Sequence, residues 1–172
     1  MRGLLHDFAE RTRLEYSQRE PERSELQRLG NELKAICAKG NFDASTYPLA
    51  LPGEALMHEL NVDPRGGPSL DLVSDGVGVD TVPHEHQTWA VIIGIKGAEF
   101  TVFYKAEGDE HRHASRVSDR LAGEGDVLVM ESHEIHAIDS RRGIHPTCHV
   151  HLYGRSLASL PSFASRCYTE CR

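Results

Sequence analysis

Apolar residues recur at three- and four-residue spacing near the start of the chain, which is the pattern of an amphipathic helix. The stripe consists of Leu26, Leu29, Leu33 and Ile36. Ser24 followed by Gln27 fits a capping box at the start of this helix, and a weaker pattern predicts an earlier helix over residues 4–16. We therefore expect an N-terminal helical segment over residues 1–45.

From about Leu56 onward, short apolar runs alternate with turns that are rich in glycine. The runs cover residues 56–60, 70–74, 89–95, 99–104, 126–130, 136–139 and 149–153. Many short strands at close spacing are typical of an all-β sandwich or barrel. The pattern therefore predicts an all-β fold with a barrel over residues 46–160, followed by a C-terminal tail over residues 161–172.

The composition limits the classes of partner. The 172-residue chain has 19 basic and 26 acidic residues, a formal charge of −7, which disfavours nucleic acid and anionic membranes as partners. No apolar run approaches the roughly 18–20 residues of a membrane span, and the early acidic Asp7 argues against a signal peptide. The four cysteines are irregularly spaced, which favours reduced thiols and a cytoplasmic protein.

Histidine is the unusual component, because nine of the 11 histidines lie between residues 84 and 151. They include three His-x-His pairs, at positions 84/86, 111/113 and 149/151. Such a pair is more often a surface or core feature than a metal site. The 111/113 pair lies in a charged stretch, and we assign it to a solvated loop.

The first pair, His84 and His86, stands at the head of a predicted strand, where side chains two residues apart point to the same face. Two neutral imidazoles on a rigid strand make a bidentate metal clamp. The third ligand has to come from elsewhere, and His133 and His136 follow another predicted strand. Such a two-plus-one arrangement leaves coordination positions open, as a catalytic metal requires.

The glycines around these histidines resemble those of the cupin superfamily. The segment that matches the first cupin motif in spacing reads Gly78-x5-His84-x-His86-x3-Ala90-x6-Gly97. The spacing of the second motif is present from Gly125 to Ser140, with its histidine at position 136 and with its Pro, second Gly and Asn replaced. The resemblance implies a double-stranded β-helix, the jelly-roll barrel of the cupins, with a metal bound by His84, His86 and His136. His133 then becomes a residue of the rim.

A closer resemblance follows from Ala90, which takes the position of the usual glutamate ligand. Among cupins, a three-histidine iron site is what the thiol dioxygenases use, namely the cysteine and 3-mercaptopropionate dioxygenases. The segments similar to that group are His84-Glu-His86-Gln-Thr-Trp89, Lys96-Gly-Ala-Glu99 and His149-Val-His151-Leu-Tyr153. The resemblance covers roughly residues 24–157.

This resemblance implies one Fe(II) per chain and a catalytic hydrogen-bond relay that contains Tyr153 and His151. It also makes His149 and Trp89 candidate substrate contacts. A buried core tyrosine is an equally open reading of Tyr153, and the strand position of Trp89 favours a core tryptophan.

The sequence departs from the thiol dioxygenase pattern at three places. His149 replaces the relay serine, and Val91 stands where some members carry a crosslinking cysteine. The arginine that grips the substrate carboxylate is missing, and its position falls near His58. We therefore rank His58 first as the substrate-binding substitute, ahead of Arg155 and Arg166, and expect cysteine to be a poorer substrate than 3-mercaptopropionate.

Three functions remain open on the sequence alone. The first is an Fe(II)-dependent dioxygenase that oxidises a small thiol to its sulfinate with O2. The second is a metal-dependent cupin enzyme that acts on a non-thiol small molecule, and the third is a non-catalytic cupin that binds a small ligand. The expected partners are a small thiol and O2, without nucleic acid or membrane, in a monomer or a homodimer.

Overall fold

The computed structural model describes residues 2–40, 42–108 and 112–171. His111, half of the pair assigned to a solvated loop, lies outside these residues. The described chain contains two α-helices followed by nine strands. These are α1 (Arg2–Glu15), α2 (Arg23–Lys39), β1 (Ala55–Val62), β2 (Ser69–Asp75), β3 (Ala90–Lys96), β4 (Glu99–Glu107), β5 (His113–Ala122), β6 (Val127–Met130), β7 (Ile135–Asp139), β8 (Thr147–Tyr153) and β9 (Thr169–Glu170).

Helix α2 begins two residues earlier than the predicted Ser24–Gln27 capping box requires. The N-cap residue is Glu22, whose backbone N–H donates to Oε2 of Glu25 at 2.8 Å. Arg19 pairs with the same carboxylate, with Nη2 and Oε1 2.6 Å apart, and this pairing lowers the pKa of Glu25 to about 2. A carboxylate fixed near the first turn also suits the positive end of the helix dipole, which explains the earlier start.

The strands form two sheets, with the orders β1-β2-β8-β3-β6 and β7-β4-β5-β9. The helices cover the outer face of the first sheet, where Leu26, Leu29 and Leu33 are fully buried in one cluster with Val91 and Val150. The expected all-β class with preceding helices is therefore confirmed.

Strand β8 shows how this packing positions the candidate site. Cys148, Val150 and Leu152 point toward the helices and belong to the buried cluster. Because side chains alternate along a strand, His149, His151 and Tyr153 point to the other face and line a cavity between the two sheets.

Strand β5 was not predicted, because its sequence HASRVSDRLA has no apolar alternation. Only Ala114 and Ala122 are buried along it. Its main chain pairs with β4 over the whole of β4, which holds the strand at the surface without an apolar face.

The segment predicted as a C-terminal tail packs on the barrel. Tyr168 donates its backbone N–H to the carbonyl oxygen of Pro83 at 2.7 Å, and β9 pairs in parallel with β5. A short 3-10 turn at Phe163–Arg166 precedes this contact. None of the helices in the described part of the chain is long and apolar enough to cross a membrane, and the four cysteines are free.

Candidate metal centre

The three histidines predicted as metal ligands meet in the structure. His84 and His86 precede β3, and His136 lies in β7. One ring nitrogen from each of the three lies within 4.8 Å of the others, and all three side chains are buried. The structure therefore gathers three imidazoles from two separate parts of the chain into one cluster.

The glycines that open the two motifs have a structural reason. Gly78 has a φ of 90° and Gly125 a φ of 78°, both in the left-handed region that residues with a side chain seldom adopt. These two glycines end the turns that lead toward the histidine segments. The spacing recognised in the sequence is thus a spacing between turns that only glycine forms easily.

The imidazoles are in the form that binds metal. Nδ1 of His84 lies 2.9 Å from the carbonyl oxygen of Val82 and donates its proton there, which leaves the lone pair of Nε2 free. Burial, and secondarily repulsion among the rings, keeps the pKa values of His86 and His136 well below the usual histidine value. Burial also lowers the pKa of His84.

A further observation on the cluster concerns the hydrogen bonding of His136. Nδ1 of His136 is buried and has no hydrogen-bond partner in the part of the chain that the structure describes, although buried polar atoms are nearly always paired. Ala90, at the position of the usual cupin glutamate, is fully buried in an apolar cluster. The residues present fit an ion held by three neutral nitrogen ligands, a donor set that suits iron, zinc, copper or nickel.

A tyrosine–histidine pair stands beside this cluster. Oη of Tyr153 lies 2.8 Å from Nδ1 of His151, and the Tyr153 ring meets the ring of His86 edge-on, with centroids 5.0 Å apart. Burial and the nearby Asp71 and Asp75 raise the pKa of Tyr153 above its ordinary value, and burial keeps the pKa of His151 well below normal. Both groups are therefore neutral around pH 7 and act through hydrogen bonds.

The cavity that holds these groups has a volume of about 230 Å³. That is below the roughly 300–1,000 Å³ of pockets for drug-sized ligands, so it suits a small molecule. Its walls are largely apolar and include Ile92, Leu128, Ile138, Leu157 and Phe163.

Arg166 is the candidate substrate-binding residue that the sequence analysis ranked below His58 and that the structure places at the cavity. Although it lies in the segment expected as a tail, its side chain is buried and lines the cavity. Nη1 donates to the carbonyl oxygen of His86 and Nε to that of Pro161, both at 3.2 Å. Among the residues that the structure describes, no carboxylate forms an ion pair with it. A buried guanidinium without an acidic partner attracts an anion.

His58 does not enter the barrel, so the expectation that placed it there is wrong. In the register of β1 with β2, His58 faces Leu72, which is buried under the helices, whereas Met57 faces Val73 and both line the cavity. Nε2 of His58 instead lies 3.0 Å from the carbonyl oxygen of Pro48. A one-residue error in the facing of a strand moves every side chain to the other side.

Trp89 lies in the core rather than in the cavity. Its ring meets that of Tyr16 edge-on, with centroids 6.2 Å apart, and a Cβ at Gly154 would come within 2.4 Å of the Trp89 ring. The structure therefore corrects its assignment as a substrate contact and gives it the core position that the strand pattern favoured.

The remaining two histidines of the prediction are separated by the fold. His133 is exposed, with 80% of its side-chain surface accessible, as expected for the rim. His149 lines the cavity, but it lies with Asp75 and Glu99 rather than with the three-histidine cluster.

The sequence matches no family model, but the fold resembles solved structures. A cupin superfamily protein from Desulfitobacterium hafniense DCB-2 superposes with a TM-score of 0.50 and 16% identity, covering 66% of this chain and 88% of that one. The protein TT1209 from Thermus thermophilus gives a TM-score of 0.50 and 11% identity, covering 66% of this chain and 94% of that one. These likenesses show that the chain has a cupin-like fold.

Proposed function

We propose that the protein is an iron(II)-dependent dioxygenase that oxidises a small anionic thiol to its sulfinate, R–SH + O2 → R–SO2H. Both oxygen atoms end on sulfur, and the thiol sulfur is the atom oxidised. The observation that supports this most is the meeting of three neutral, buried imidazoles with Arg166, a buried arginine that has no acidic partner among the described residues, in one small cavity.

The three ligands set the charge of the site. Since His84, His86 and His136 are neutral and Ala90 supplies no carboxylate, these ligands do not offset the charge of a bound divalent ion. Iron(II) held there would supply open positions for a thiolate and for O2 together with the redox chemistry of the oxidation.

Tyr153 and His151 then serve to direct a hydrogen bond into the cavity. When Nδ1–H of His151 donates to Oη of Tyr153, the hydroxyl hydrogen is free to point at a ligand. The raised pKa of Tyr153 keeps that hydrogen in place around pH 7. Tyr153 therefore acts as a donor that orients and stabilises, and not as a base.

Arg166 determines which thiol fits. Its buried guanidinium provides a charge-assisted hydrogen bond for a carboxylate, which is the role that the sequence assigned first to His58. No such contact is available to a thiol that carries only an amine. We infer that 3-mercaptopropionate is the model substrate and that cysteamine is a poor one.

Oxygen uptake by the Fe(II)-loaded protein tests this function directly. An oxygen electrode with 3-mercaptopropionate, cysteine and cysteamine, followed by mass spectrometry of the products, should show one O2 consumed per sulfinate formed. Absence of thiol-stimulated uptake with all three compounds, in protein that has bound iron, would contradict the proposal.

One observation favours a second candidate, a metal-dependent cupin enzyme that acts on a non-thiol molecule. His149, at the position of the relay serine, lies with Asp75 and Glu99, and its ring centroid is 6.2 Å from that of His151. The relay of the thiol dioxygenases is therefore altered here. Turnover of a non-thiol substrate by iron-loaded protein that ignores thiols would support this alternative.

A further inference from the structure

A second buried cluster lies in the cavity, and the proposed function makes no use of it. Asp75 is the last residue of β2, Glu99 is the first of β4, and His149 lies in β8. One ligand atom from each lies within 4.8 Å of the others, and all three side chains are buried. Three strands from both sheets thus bring two carboxyl groups and one imidazole together.

The two ring nitrogens of His149 are unsatisfied within this cluster of described residues. The side chain is only 2% exposed, and among the described residues neither Nδ1 nor Nε2 has a hydrogen-bond partner. A neutral imidazole carries one N–H and one lone pair, so both are left unused in the interior. Nδ1 faces Oε1 of Glu99 at 3.4 Å, which is too long for an O–H···N hydrogen bond from a protonated carboxyl group.

The same distance suits two ligands of one metal ion. Nitrogen and oxygen ligands lie about 2.1 Å from a first-row divalent ion, so two of them are about 3.0 Å apart at a right angle and about 3.4 Å apart at the tetrahedral angle. Oε2 of Glu99 accepts a hydrogen bond from Oγ1 of Thr147 at 2.6 Å. That bond orients the carboxylate and leaves Oε1 turned toward the imidazole.

The charges lead to the same conclusion. Within the described chain, no lysine or arginine forms an ion pair with Asp75 or Glu99. Two carboxylates this close cannot both be ionised in a protein interior without a compensating cation. A single divalent ion would balance both charges and use the free imidazole nitrogen.

We propose that Asp75, Glu99 and His149 form a second divalent-cation site, separate in its ligands from the three-histidine cluster but in the same cavity. With two carboxylates and one imidazole, it selects a first-row ion such as Mn²⁺ or Zn²⁺. The second site is independent of the proposed oxidation of thiols, because neither its residues nor its ion takes part in it.

Manganese titration of the metal-free, full-length protein tests this site. Free Mn²⁺ is read by electron paramagnetic resonance, and bound metal is counted by elemental analysis after dialysis. The wild type should bind two equivalents. His136→Ala, which disables the three-histidine cluster, should keep one equivalent, and His136→Ala combined with Glu99→Gln should bind none. Asp75→Asn alone should bind one.

The control is Asp71→Asn, which removes another buried carboxyl group of β2 that is outside the cluster and should leave two equivalents bound. Thermal unfolding gives a second measurement. In the His136→Ala background, Mn²⁺ should raise the unfolding temperature, and Asp75→Asn or Glu99→Gln should abolish that rise. Failure of His136→Ala to bind Mn²⁺, or an unchanged count in both Asp75→Asn and Glu99→Gln, would overturn the proposal.

Discussion

His84 and His136 exchange two main-chain hydrogen bonds, from N of His84 to O of His136 at 2.8 Å and from N of His136 to O of His84 at 2.9 Å. The backbone itself therefore fixes the distance between two of the candidate ligands, and their ring centroids lie 4.4 Å apart. The cluster is held rigid before any ion binds, which is the preorganisation that a metal site requires.

Loss of a ligand should reduce the iron content by one equivalent. We expect this for His136→Ala after reconstitution with Fe(II), because the two remaining imidazoles bind a divalent ion weakly. Elemental analysis against protein concentration provides the measurement. His133→Ala is the matched control, since it removes an exposed histidine three positions away. Equal iron in His136→Ala and the wild type, with less in His133→Ala, would reverse the two assignments.

Tyr153→Phe should lower turnover by about 10- to 100-fold, the usual effect of removing a hydrogen-bond partner just outside the ligands of a metal. Iron content should not change, because Tyr153 contacts His86 through its ring and Phe keeps that ring. The comparison is kcat for 3-mercaptopropionate in iron-loaded wild type and variant. Wild-type turnover in the variant would leave Tyr153 with a core role only.

Replacing Arg166 should alter substrate preference more than metal binding. A charge-assisted hydrogen bond contributes about 1.5–3 kcal/mol, so Arg166→Gln should reduce kcat/KM for 3-mercaptopropionate by about 10- to 150-fold. The value for cysteamine, which has no carboxylate, should hardly change. Arg166→Lys keeps the charge and should lose less. Because Arg166 also donates to the carbonyl oxygen of His86, iron content is measured in each variant, and equal losses with both thiols would contradict an anchoring role.

The sequence predicted those features that depend on the spacing of residues close together along the chain. The stripe through Leu29 and Leu33 predicts α2, and the motif glycines predict where the histidine pair lies. The predicted orientation of the β1 side chains was wrong, because alternation defines the two faces of a strand but does not show which face points into the barrel. His58 and Met57 are adjacent, and only the pairing with β2 decides between them.

Arg166 was ranked low for a different physical reason. Its place beside the cavity depends on the last part of the chain folding back over the barrel, where Cys167 pairs with His84. No periodicity in the short segment around it predicts that contact. The cluster of Asp75, Glu99 and His149 has the same origin, since it joins residues of three strands that are distant in sequence.

Asp71 leads to a prediction about pH and stability. Its side chain is buried on β2 and accepts a hydrogen bond from Oγ of Ser69 at 2.9 Å. Burial, and to a lesser extent the charge of Glu59, raises its pKa to about 6 against the opposing effect of Ser69. The unfolded chain should titrate near the ordinary value of about 3.9.

The sign of the effect follows from which state holds the proton. Between about pH 4 and pH 6 the folded protein keeps the proton on Asp71 while the unfolded chain has released it, so the free energy of unfolding falls as the pH rises through this window and stays lower above it. The loss is at most about 3 kcal/mol for a shift of about two pH units. Asp71→Asn keeps an oxygen that accepts from Ser69 and removes the titration.

Asp71→Asn should therefore be more stable than the wild type at pH 8, with an advantage that shrinks on acidification and vanishes near pH 4. Urea unfolding of the metal-free proteins at pH 4, 5, 6 and 8 gives the difference in free energy at each pH. Asp7→Asn, at an exposed position, is the control and should show no such trend. A stability difference for Asp71→Asn that stays constant from pH 4 to 8 would mean that the carboxyl group of Asp71 titrates in the folded protein as it does in the unfolded chain.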